Sequence, residues 1–213
     1  MIIRQGKGGI KVNGNFYKIV VFSFLFVLCA GCVGQISQIQ RGMNILDDTW
    51  KVANDNLNKT LGTREYKISK KEAFNAMVIT LTELGFIIEN QDYETGFILA
   101  KGHAPAPLTN SEGEAVKEIE DPKMQALLAP EIGELSANRF KLGLNHFYNI
   151  INVHMLERPK DLQISLRSQY QFKGDMPVIA VSQQGPPTAL ELGIKKIWNT
   201  FEKTAFIQEG TFK

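Results

Sequence analysis

Between residues 161 and 170 two kinds of side chain alternate without a break. Leu162, Ile164, Leu166, Ser168 and Tyr170 fall on one parity, and Asp161, Gln163, Ser165, Arg167 and Gln169 on the other. Successive side chains of a strand point to opposite faces of a sheet, so this pattern predicts a half-buried strand with one wet face. A second apolar stretch, Phe147 to Met155, precedes it across Glu157-Arg158-Pro159-Lys160, a connecting loop that makes the pair a hairpin.

An earlier segment repeats the theme. Ser69-Lys70-Lys71-Glu72 is a capping box, in which Ser69 and Glu72 each satisfy a free amide at a helix start. Phe74, Met77, Val78, Leu81 and Leu84 then follow at spacings of three and four, and Gly85 suits a left-handed C-terminal cap. Phe86 to Glu89 and Gly96 to Lys101 read as two strands around a polar turn, and Arg64 to Ile68 as a short strand before the helix. Val178 to Val181 is a further short strand by the same criterion. Pro186-Pro187 opens a last helix carrying Leu190, Ile194, Ile197, Trp198 and Phe201 on one face.

The stretch 103–146 interrupts this order with Pro105, Pro107, Pro122 and Pro130 and a local run of acidic residues. Forty structureless residues inside a domain are uncommon, so short helices are expected near Ser111–Glu120 and Pro122–Leu128, within an insertion in the sheet connection. The acidic run reads as solvated surface or as a docking loop for a basic partner. The whole predicts an α+β domain over 62–205. In it an antiparallel sheet of about five strands grips helices on one face, with 103–146 inserted and 206–213 as a tail.

The N-terminal part is of another kind. Arg4, Lys7, Lys11 and Lys18, with no acidic residue, precede an apolar run from Ile19 that ends in Leu28-Cys29-Ala30-Gly31-Cys32. The run covers about eleven residues, the length of a signal-peptide core and short of the roughly 20 that cross a bilayer. Ala30-Gly31-Cys32 resembles the processing site of bacterial lipoproteins. That resemblance implies a signal peptide over 1–31, removed after the Cys32 thiol is diacylated, and with Val33 in place of Asp it implies outer-membrane delivery. The departure is Cys29, which stands where Leu is usual; as the alternative acceptor it follows the bulky Leu28. An ordinary signal peptide or signal anchor is the other reading.

The full chain has a formal charge of +2, but with residues 1–31 gone 20 basic side chains face 22 acidic ones, or −2. A nucleic-acid partner, which needs a clustered positive face, is not expected. Of two cysteines, one leaves with the signal and the other carries lipid, so no disulfide is expected.

From 32 to 61 the expectation is a lipid-anchored tether with an amphipathic helix. Ile36, Ile39, Met43, Leu46, Trp50, Ala53 and Leu57 alternate at three and four residues and make one stripe. Ile36, Ile39, Met43, Leu46 and Trp50 are the candidate partner-binding residues. The competing readings are a stripe lying in lipid headgroups, or a helix folded back on its own domain. Gly42 weakens the helix by about 1 kcal/mol relative to Ala.

The run Ala73 to Lys101, an apolar helix, Leu84-Gly85-Phe86, an Asp-containing turn and Gly96-Phe97-Ile98-Leu99-Ala100, resembles the helix-grip domains of envelope lipoproteins. One such domain is that of the C component of the outer-membrane β-barrel assembly machine, where the closing helix carries a Trp in a place comparable to Trp198. The resemblance spans about Gly62–Glu202, its motifs are structural, and it carries over no site residue.

No reaction is announced. His103, His146 and His154 lack partners at metal-ligand spacing. His154 has the opposite parity to Val153 and Met155 and should face outward. Ser165 and Ser168 have no Gly-x-Ser-x-Gly frame, and Lys7-Gly8-Gly9 is no phosphate loop. The chain therefore reads as a non-enzyme without metal or cofactor, attached to the membrane by lipid on Cys32. Its expected role is structural or accessory, in an envelope complex. A carrier of lipid or another hydrophobic ligand is the alternative.

Overall fold

A computed structural model describes the backbone of residues 14–173 and 184–211, with side chains described for 37–171, 173 and 184–206. The Val178–Val181 strand lies outside the described residues. The elements in order are α1 (Gly14–Leu61), β1 (Thr63–Tyr66), α2 (Lys70–Glu83), β2 (Phe86–Asp92), β3 (Phe97–His103), α3 (Asn110–Ile132), α4 (Glu134–Ala137), a 3-10 turn (Leu144–His146), β4 (Phe147–Glu157), β5 (Leu162–Phe172) and α5 (Pro187–Thr211). The fold is α+β, with the expected five-stranded antiparallel sheet packed against helices.

The strand order is β1-β5-β4-β3-β2. Since β1 and β2 lie on opposite edges, the α2 that joins them must cross one face, and α5 packs beside it. On that face Ile98, Ala100, Ile151, Val153, Ile164 and Leu166 meet Met77 and Leu81 of α2 and Ile194, Trp198 and Phe201 of α5, all of them buried. The alternation along β5 holds in β4 as well, where Phe147, Asn149, Ile151, Val153 and Met155 are buried.

Local chemistry sets the helix starts. Ser69 and Glu72 form the expected capping box at α2, Gly85 takes φ +85° just after it and Pro187 is the first residue of α5. Three expectations are corrected. The two short helices are one: α3 opens at its own capping box, Thr109 with Glu112, and runs through Pro122 and Pro130. Both prolines are exposed, and so are Glu118 and Ala126 four residues before them, so the carbonyls left without an amide partner reach water. The tail is shorter than expected, because α5 continues to Thr211. Finally, α1 is no separate tether over 32–61: its C-terminal half is part of the folded unit, and the domain begins well before residue 62.

Candidate anchoring and docking site

The stripe on α1 is satisfied within the chain. Leu46 is 1% exposed and Trp50 6%, both inside the main core, while Met43 and Leu57 pack against that core partly buried and Ile39 is half-buried. The side chain of Ile36 lies outside the described residues. Of the candidate partner-binding residues, Leu46 and Trp50 are thus covered by α1's own domain, which corrects the docking reading for that half of the stripe. The physical reason is area: each apolar side chain withdrawn from water contributes about 1.5–3 kcal/mol, and the domain offers the nearest apolar surface.

Gly42 makes the seat possible. It is buried, and a β-carbon there would stand 2.6 Å from Phe140 Cζ and 3.1 Å from Ile132 Cδ1. A residue that weakens the isolated helix is what lets the α3–α4 corner close on it.

Polar ties extend the seat along the helix. Ser136 donates to Gln38 at 2.8 Å and Arg41 to Glu131 at 2.6 Å. The Gln184 N–H reaches Asp47 at 3.3 Å, and Asn54 donates to the Gly185 carbonyl at 2.9 Å. At the C-terminal end Trp198 Nε1 donates to the Leu61 carbonyl at 2.8 Å. Asn54 and Asn58, four apart and so on one helical face, join α1 to the segment before α5 and to Ser168 of β5.

Cys32 lies within the backbone of α1, six residues before Gln38, a separation of about 9 Å along a helix. The ties at Gln38 and Arg41 both go to the α3–α4 corner, so this corner is the end of the domain nearest Cys32.

Two further surfaces are defined. The outer face of the sheet exposes Ile87 by 71% and Leu156 by 59%, with half-buried Phe97, Leu99 and Ile150 between them. His154 is exposed on this face, as its parity predicted, and its ring lies 5.0 Å from that of Phe97. Lys101 and Lys173 stand 4.2 and 5.2 Å from the Tyr148 ring, which His103 also meets at 4.8 Å. Second, a groove of about 480 Å³ between α1, α3 and α5 is lined by Trp50, Leu57, Met124 and Leu127. At its rim the buried Glu120 carboxylate accepts the Thr188 hydroxyl and lies 3.5 Å from Lys123.

The strongest electrostatic shifts are structural in origin. Burial, and then the hydrogen bond that Tyr66 donates to Glu202 at 2.8 Å, raises the Tyr66 phenol. Burial alone raises that of Tyr170. Among the described residues no three His, Cys, Asp or Glu side chains gather as a metal site. No protein-family model, curated protein or solved structure matches the chain.

Proposed function

We propose that this chain is an outer-membrane-anchored lipoprotein, a structural or accessory subunit of a bacterial envelope complex that docks through the outer face of its sheet. The observation that carries the docking surface is the apolar content of that face: Ile87 and Leu156 are well exposed and share it with half-buried Phe97, Leu99 and Ile150, interleaved with Lys101, Asn152 and His154, and exposed apolar residues gathered on one face mark interaction sites. The lipoprotein-like Ala30-Gly31-Cys32 supports the address, and the seated α1 supports a domain held at a fixed short distance from its anchor. Affinity purification of the C-terminally tagged full chain from detergent-solubilised envelopes tests it. A stoichiometric partner is expected with the wild type, lost in Cys32→Ala and weakened in Leu99→Glu. Recovery of the same proteins with all three versions would rule the proposal out.

A second reading, a carrier of a hydrophobic ligand, is supported by the helix-lined groove rather than by the space within the grip, which Met77, Trp198 and Phe201 fill. Native mass spectrometry of the full chain separates the two: a bound species released on gentle activation favours the carrier.

A further inference from the structure

The corner between α3 and α4 combines three features. Gly133, at φ +81°, ends α3 and begins α4 in one step. In the four residues that follow, Ala137 is fully buried while Leu135 is 84% exposed. Two residues apart on a helix means about 200° around its axis, so with Ala137 held against the domain Leu135 must point away from it. Arg139, exposed in the next turn, has no ion pair among the described residues. This is also the corner tied to Gln38 and Arg41, about 9 Å along α1 from Cys32.

Headgroup and interfacial layers extend roughly 5–8 Å beyond the hydrocarbon on each side of a bilayer. A domain hung on lipid at Cys32 has its α3–α4 corner, about 9 Å along α1, at the outer edge of that layer, and a tilted α1 brings it in. The exposed Leu135 and, four positions on, the exposed Arg139 suit the layer's chemistry in a corner whose other exposed charges are Glu131, paired with Arg41, and Glu134: the apolar side chain turns toward the acyl boundary while the guanidinium stays with lipid phosphates. We propose that the α3–α4 corner is a second membrane contact, in which Leu135 inserts into the interface and Arg139 meets anionic headgroups. This fixes the tilt of the domain and so the direction in which the sheet's outer face is presented. The proposal rests on the reading of Cys32 as the anchor.

The test uses the full chain, processed in cells and reconstituted into phosphatidylglycerol-containing vesicles. Leu135→Cys and, as a remote exposed control, Val52→Cys are labelled with a polarity-sensitive fluorophore; in a lipidated chain the introduced thiol is the one that reacts. The expected result is blue-shifted emission at 135, quenched by lipid-borne nitroxide and reduced in Arg139→Glu, with water-like emission at 52. Water-like emission at both positions of a lipidated chain would overturn the membrane contact while leaving the anchor standing. A wild-type chain whose Cys32 reacts with maleimide would overturn the anchor and the contact with it.

Discussion

The side-chain amide of Asn58 occupies the place of a neighbouring strand beside Ser168. The Ser168 N–H donates to Asn58 Oδ1 at 3.1 Å, and Asn58 Nδ2 donates to the Ser168 carbonyl at 3.2 Å. One step earlier along β5 the Leu166 N–H donates to the Gly62 carbonyl at 2.6 Å, where β1 ends its own pairing at Ser165. Helix α1 thus completes the sheet edge that β1 is too short to cover, and an uncovered edge is a template for unwanted pairing.

Replacing Asn58 by Leu therefore leaves one donor and one acceptor of Ser168 unpaired under an apolar side chain. The expected loss is about 1–3 kcal/mol in urea unfolding, with Asn58→Asp intermediate because it keeps the acceptor and loses the donor.

Leu46 and Trp50 are predicted to behave as core. Leu46→Ala should cost about 2–5 kcal/mol and Trp50→Ala about 3–5 kcal/mol, read as a lower denaturation midpoint of the purified chain with no partner present. Unchanged midpoints would return both residues to the role of a docking stripe.

Thr80 is fully buried in α2, and its hydroxyl has no hydrogen-bond partner among the described residues. Thr80→Val keeps the shape and removes the unsatisfied group, so a gain of about 1 kcal/mol is expected. Thermal unfolding checks it, with Thr80→Ala as the counterpart that loses packing as well.

Much of the fold is legible in the sequence, and what is not has two physical causes, one local and one long-range. Ser69 with Glu72 marked α2 because both halves of the cap lie within four residues, and the alternation in β4 and β5 is equally local. Thr109 with Glu112 offered the same signal for α3, but Pro122 argued for a break that solvent exposure makes tolerable. The seat of α1 was hidden for a different reason. Its determinants, Gly42 with Phe140 and Asn58 with Ser168, are about a hundred residues apart, and neither partner has a pattern that names the other.

Glu112 gives the fold a modest acid sensitivity. The Lys196 ammonium, donating at 2.5 Å, and then the Thr109 N–H hold its carboxyl below the usual carboxylate range. A carboxyl lowered in the folded state adds stability above its unfolded pKa of about 4.3, and loses it as pH falls through the folded value. With the Glu112 side chain 44% exposed, solvent screens the pair and the effect should be about 0.2–1 kcal/mol. Lys196→Met should flatten the fall in stability below about pH 5 in denaturation midpoints, leaving neutral-pH stability slightly reduced.

Lipid attachment at Cys32 is decided by the intact mass of the protein extracted from membranes of cells expressing the full chain. The expected species begins at Cys32 and carries the added mass of its lipid, and the Cys32→Ala variant is left unprocessed. A wild-type chain that begins at Met1, or that bears a free thiol at position 32, would contradict it.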